Sequence, residues 1–149
     1  MTTPETRTRP IPNTTRTRGL AGAARVAVTQ IMSREVVTVL PQLDLDSLAT
    51  LLIERGLSRI PVADGRGQLV GIVSKTDLVA DHQREIRSGT VADIMVESVL
   101  SLCASTTSLE AARLLSANNV HGAPVVAPTG ALVGYLSAMD VLAWLSGQH

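Results

Sequence analysis

Leu69-Val70-Gly71-Ile72-Val73-Ser74-Lys75-Thr76-Asp77 and Leu132-Val133-Gly134-Tyr135-Leu136-Ser137-Ala138-Met139-Asp140 are two versions of one phrase, 63 positions apart. The same offset carries outward without a gap. Ile31-Met32 meets Ile94-Met95, Val36 meets Val99, Leu51-Leu52 meets Leu114-Leu115, Pro61-Val62 meets Pro124-Val125, and Gly67 meets Gly130. Matches at one constant offset over about fifty residues identify an internal duplication. Two copies are too few for a solenoid, so the pattern predicts a closed pair related by a pseudo-twofold axis.

Each copy reads alike. An apolar run, Val36 to Val39 or Val99 to Leu102, predicts a short strand. A helical pattern follows: Leu45, Leu48 and Leu52 in the first copy, between an Asp44 cap and a Gly56 stop; Leu109, Ala112 and Leu115 in the second, capped by Thr107 or Ser108. Two apolar runs joined by Asp64-Gly65-Arg66-Gly67, or by Pro128-Thr129-Gly130, read as a β-hairpin. A closing helix places Leu78, Val79, His82 and Ile86 on one face of the first copy; Val141, Leu142, Trp144 and Leu145 supply apolar surface in the second. Thr90 with Asp93 forms a capping-box pattern at the opening of the second copy. The expected fold is α/β of the α+β kind: tandem βαββα repeats that bury their helices and small sheets against each other. Residues 1–27 read as a disordered tail, 28–89 as the first repeat and 90–149 as the second.

At 149 residues and 45% hydrophobic, with mean hydropathy +0.25, the chain can fill a core. That core is aliphatic, because the chain has no Phe, one Trp and one Tyr. The single Cys103 excludes an internal disulfide and a multi-cysteine zinc site, reads as a buried inert thiol, and fits a reducing, cytoplasmic compartment. No run approaches the ~20 apolar residues that span a bilayer, so no membrane role is expected.

Formal net charge is zero, but five of the thirteen basic residues and one of the thirteen acids lie within residues 1–27. The remainder carries eight basic and twelve acidic residues, a poor composition for nucleic-acid binding. The Thr/Arg/Pro-rich opening reads as a solvated tail, with a nucleic-acid arm or a transit peptide as alternatives.

Chemistry concentrates where each hairpin ends. A strand entering a helix through Ser-x-x-Asp (Ser74 and Asp77, Ser137 and Asp140) sets free backbone N–H groups and the positive helix end beside a hydroxyl, which suits an anion. The Asp one turn on can accept two hydrogen bonds from a vicinal diol. Taken singly, each motif is an N-terminal capping box; its occurrence in both copies, each after Gly-x-x, favours binding.

With the paired Pro61-Val62 and Pro124-Val125, Gly71 and Gly134, and both Ser-x-x-Asp motifs in order, residues 28 to about 147 resemble the CBS domain pair, or Bateman module. The resemblance implies a non-catalytic regulatory module binding AMP, ADP, ATP or occasionally S-adenosylmethionine in clefts between the copies. It implies that Asp77 and Asp140 hold ribose hydroxyls and that Ser74 and Ser137 face phosphate or ribose. Backbone near Val36-Val37 and Val99-Leu100 would hold adenine, between walls formed by Ile60-Pro61 and Ala123-Pro124.

Where the family often has His-Arg before the Pro, this chain has Ser58-Arg59 and His121-Gly122, leaving Arg59 and His121 as candidate phosphate ligands. Lys75 and Thr76 add a charge and a donor near Asp77, whereas Ala138 and Met139 add neither near Asp140. The Asp77 cleft is therefore expected to bind more strongly.

The leading expectation is an energy-sensing module, without cofactor or resident metal, that forms a homodimer through Val141, Leu142, Trp144 and Leu145 and signals to an effector protein. The alternative for that apolar surface is intramolecular core. The competing reading of the chain is an interaction scaffold with vestigial clefts. No HExxH, Walker A or GxGxxG pattern supports an enzyme.

Overall fold

The computed structural model describes residue 22 and residues 24–84 and 89–147. Most of the Arg-rich tail (residues 1–21 and 23) and Ile86 lie outside the described residues.

The chain enters through a 3-10 turn, Val28–Gln30, and then runs α1 (Leu45–Arg55), β1 (Arg59–Ala63), β2 (Leu69–Ser74) and α2 (Lys75–His82). After a short helix, α3 (Val91–Ile94), the second copy follows with β3 (Leu102–Cys103), α4 (Ser108–Ala117), β4 (Gly122–Val126), β5 (Leu132–Ser137) and α5 (Ala138–Leu145). β1 and β2 form an antiparallel hairpin; β4 and β5 form another, with β3 added parallel to β4.

The helix ends obey local chemistry. Asp44 caps α1, its Oδ2 accepting from the Ser47 N–H at 2.9 Å. Gly56 ends that helix at φ 61°, a left-handed conformation that suits a residue without Cβ. Of the two candidate caps of α4, Thr107 is the one used: its Oγ1 accepts from Glu110 N–H at 3.2 Å. The Thr90 N–H donates to Asp93 Oδ2 at 3.0 Å, as the capping-box pattern predicts.

The predicted first strands are shorter than expected. Val36 to Val39 contributes one parallel bridge, Val39 to Val62, and the equivalent run begins pairing only at Leu102. The segments ahead of these points leave the sheet and line the clefts described below.

Two aliphatic cores form. One gathers Val39, Leu48, Leu52, Ile60, Val62, Val73 and Val91; the other gathers Val26, Val28, Ile31, Met32, Leu102, Leu115, Val125, Leu136, Val141 and Trp144. The leading segments are thus exchanged: Val26 to Met32 pack into the second copy, and Val91, Ile94 and Met95 into the first. Isolated bridges follow the same exchange, Ser33 joining Tyr135 on β5 and Val96 joining Ile72 on β2.

Gly71 and Gly134 make this crossing possible. A Cβ on Gly134 would meet the Met32 side chain and stand 2.8 Å from the Ser33 carbonyl oxygen; on Gly71 it would stand 2.8 Å from Met95 Sδ and 3.0 Å from the Val96 carbonyl oxygen. The hairpin turns meet at the pseudo-twofold axis, where Leu69 N–H donates to the Gly130 carbonyl at 3.2 Å and Leu132 N–H to that of Gly67 at 3.0 Å.

Three expectations are corrected by burial. Cys103 is exposed, because its side chain alternates with that of the buried Leu102 along a strand. On α2, Val79 and His82 face outward while Asp81 is buried, so the core stripe runs through Leu78 and Asp81. Of the apolar patch on α5, Val141 and Trp144 belong to the core, and Leu142 is the residue left exposed.

Candidate functional site: two clefts between the copies

β2 delivers Ser74 and Asp77 to the mouth of α2. Asp77 Oδ2 accepts from the Ser74 N–H at 2.9 Å, and the Asp77 N–H donates to Ser74 Oγ at 3.1 Å. The capping-box geometry is therefore real, and it occupies one carboxylate oxygen. Among the described residues Oδ1 takes no hydrogen bond, so the same Asp can cap its helix and still accept from a ligand.

Asp77 opens on a cleft of about 300 Å³. The first copy lines it with Arg59, Ile72, Ser74 and Asp77, the leading segment of the second copy with Val96, Ser98, Val99 and Leu100, and the second hairpin region with Val120, Gly122 and Pro124. Arg59, Ser74, Asp77, Leu100 and Pro124, distant in sequence, are brought together there. One side is polar and holds both an acid and a cation; the other presents Val99, Leu100 and Pro124.

A second cleft, of about 650 Å³, is related to the first by the pseudo-twofold axis. It is lined by Ser33, Glu35, Val36, Val37, Arg59, Pro61, His121, Gly122 and Tyr135 among others. Val37, Pro61, Arg59 and His121 thus come together as a second group. Arg59, exposed at the start of β1, borders both clefts.

The two clefts differ at their polar ends. Ser137 and Asp140 repeat the capping box at the same distances, 2.9 and 3.1 Å, yet neither lines the second cleft. Tyr135 stands there instead. Burial pushes its phenol above the usual tyrosine range, and the nearby Arg59 charge partly opposes that rise.

Lys75 and Thr76 lie exposed in the first turn of α2 and are not among the lining residues. Pro61 and Pro124 line the clefts although both are themselves buried, and Ile60 and Ala123 pack into the cores. Tyr135, Gly122 and Ser98 were not singled out from sequence. The available signal was the 63-residue offset, which sets Tyr135 against Ile72 and Gly122 against Arg59. A groove of about 550 Å³ between α1 and α2, bordered by Asp44, Leu45, Val79 and His82, belongs to one copy and contains none of the predicted site residues.

Two exchanged α/β units, each a helix, a hairpin and a closing helix, with a cleft on either side of their shared axis, define a paired-repeat module. The CBS-domain family model matches residues 28–81 and 91–147, and the chain belongs to that family. Inosine-5'-monophosphate dehydrogenase of Korarchaeum cryptofilum is 34% identical over 108 residues, which is 72% of this chain and 22% of that enzyme. The chain thus spans about a fifth of the length of the dehydrogenase it matches.

Among solved structures, CBSX2 in complex with AMP, a CBS-pair protein from Arabidopsis thaliana, superposes with TM-score 0.73 at 31% identity. That match covers 80% of this chain and 95% of CBSX2. The cytosolic domain of the Mg2+ channel MgtE in complex with ATP superposes with TM-score 0.70 at 29% identity, covering 80% of this chain and 49% of that one. Among the described residues no helix is long and apolar enough to cross a membrane.

Proposed function

We propose that this chain is a non-catalytic regulatory module that takes an adenosine-containing nucleotide, AMP, ADP or ATP, in the Asp77 cleft. The observation that carries the reading is the convergence of Ser74, Asp77 and Arg59 on one side with Val99, Leu100 and Pro124 on the other. Asp77 Oδ1 accepts from the ribose diol, Ser74 and Arg59 meet phosphate, and the aliphatic side covers adenine. The same ligand class is named for two solved relatives, CBSX2 with AMP and the MgtE cytosolic domain with ATP. S-adenosylmethionine shares the adenosine part and differs at the end that Arg59 reads.

Regulation follows from position. The cleft is built from both copies, so a ligand there changes how tightly they are held. An effector protein, and a second copy of the chain meeting it through helical surfaces around Val79 and Leu142, receive that change. A lone, unpaired Cys103 suits a reducing cytoplasm.

Isothermal titration calorimetry with AMP, ADP, ATP and S-adenosylmethionine tests the reading. Saturable heat lost in Asp77→Ala is the expected outcome. Removing a hydrogen bond to a charged group costs about 1.5–3 kcal/mol, or roughly ten- to over a hundredfold in affinity. Arg59→Ala weakens ATP more than adenosine. The second reading, an interaction scaffold with vestigial clefts, is favoured by Ser137 and Asp140 standing apart from the second cleft; heat with none of the four ligands supports it.

A further inference from the structure

The pseudo-twofold axis relates the two clefts, and among the side chains that differ between them two exchanges are linked. In the first copy Ile72 lies opposite Pro61 on the hairpin, and Arg59 begins the neighbouring strand. In the second, Tyr135 lies opposite Pro124, and the counterpart of Arg59 is Gly122. The two exchanges fit each other. A Cβ on Gly122 would stand 2.7 Å from Tyr135 Cε1 and 3.0 Å from its hydroxyl oxygen, so the ring lies across the bare glycine and could not do so over an arginine.

Ser74 and Asp77 open on the cleft beside Ile72, whereas Ser137 and Asp140, with identical capping geometry, do not open on the cleft beside Tyr135. The capping distances of the motif are the same in both copies. Among the lining side chains that differ, the Tyr135 ring is the one that stands in the place of Ile72 on the strand leading to the motif.

We propose that Tyr135, seated on Gly122, is a plug that shuts the Ser137–Asp140 motif out of the second cleft, so that the chain binds one nucleotide in the Asp77 cleft and holds the other site closed. This rests on the nucleotide reading above and adds the residue that sets its stoichiometry. The open part of the second cleft keeps Val36, Val37 and Pro61, and the carboxylate that lines it is Glu35 from the leading segment rather than Asp140 at the helix start.

The test is calorimetric stoichiometry with AMP and ATP on the full chain. Wild-type protein is expected to bind one equivalent, and Asp77→Ala none. Tyr135→Ile, which installs the side chain that the first copy carries, is expected to bind two; Tyr135→Phe, which keeps the ring, binds one. Tyr135→Ile with Asp77→Ala binds one equivalent again, and adding Asp140→Ala abolishes it. Tyr135→Leu serves if the Ile variant does not fold, judged by its melting profile.

Two equivalents on wild type, or one on both folded Tyr135→Ile and Tyr135→Leu, overturn the plug. Wild-type protein that binds none of the ligands removes the nucleotide reading instead. In that case a single equivalent on Tyr135→Ile that Asp140→Ala abolishes keeps the plug, and none overturns it as well.

Discussion

On the proposed function, Asp77 has two tasks that separate by oxygen atom. Oδ2 closes the capping box with the Ser74 N–H, and Oδ1 is available to a ligand. Ser74→Ala removes the hydroxyl that accepts from the Asp77 N–H and should cost about 1 kcal/mol of stability, as N-cap losses do. It should lower the melting temperature while leaving most of the nucleotide binding, whereas Asp77→Ala should weaken binding roughly ten- to over a hundredfold.

Tyr135 offers a separate readout at the residue scale. It is the only tyrosine, so its ionisation is visible by absorbance without overlap from another phenol. Burial raises its folded-state pKa above the usual 10.0. The neutral phenol therefore contributes stability that is fully present below pH 10 and lost as pH rises through the higher folded value. An absorbance titration should show Tyr135 ionising later in the folded protein than in denaturant; equal midpoints would contradict its burial on Gly122.

Among the elements, the exchanged leading segments carry the sharpest expectations. Ile31 is 1% exposed in the core of the second copy, although in sequence it belongs to the first. Ile31→Ala should cost about 2–5 kcal/mol, the range for truncating a buried aliphatic, and amide exchange should report the loosening in β4 and β5 before β1 and β2. Gly134→Ala should cost about 1–3 kcal/mol, because the Ser33 carbonyl 2.8 Å from the new Cβ is backbone and cannot swing aside. At the helix starts, hydrogen bonds from Ser47 hold Asp44, and backbone hydrogen bonds from Thr90 and Gly89 hold Asp93, below the usual carboxylate range. Both contribute stability that is present above their unfolded pKa of 3.8 and lost as pH falls through the lower folded values. Acid melts of Asp44→Ala and Asp93→Ala should therefore show a shallower pH dependence than wild type.

The elements were legible because their signals are local. Asp44, Gly56 and Asp93 announce helix ends within a few residues, and Asp64-Gly65-Arg66-Gly67 announces a hairpin. The exchange of leading segments was not, since Ser33 meets Tyr135 and Val96 meets Ile72 through backbone bridges that no side-chain pattern records. For the same reason the Ser-x-x-Asp motif is visible in the sequence while the seating of the Tyr135 ring across the strand on Gly122 is not.

For the whole molecule, the duplication makes two equivalent clefts and substitution makes them unequal. Arg59 borders both and can serve one phosphate group at a time. Ser74 and Asp77 face a cleft, while their counterparts Ser137 and Asp140 do not. On the proposed reading one working site per chain gives a simple saturating response, and any steepness comes from coupling between copies of the chain.

The most direct test of the central claim is a crystal structure of the chain grown with AMP. The account predicts one nucleotide, its ribose hydroxyls on Asp77 Oδ1 and its adenine against Val99, Leu100 and Pro124. A nucleotide whose ribose lies on Asp140, or one bound away from both clefts, would contradict it.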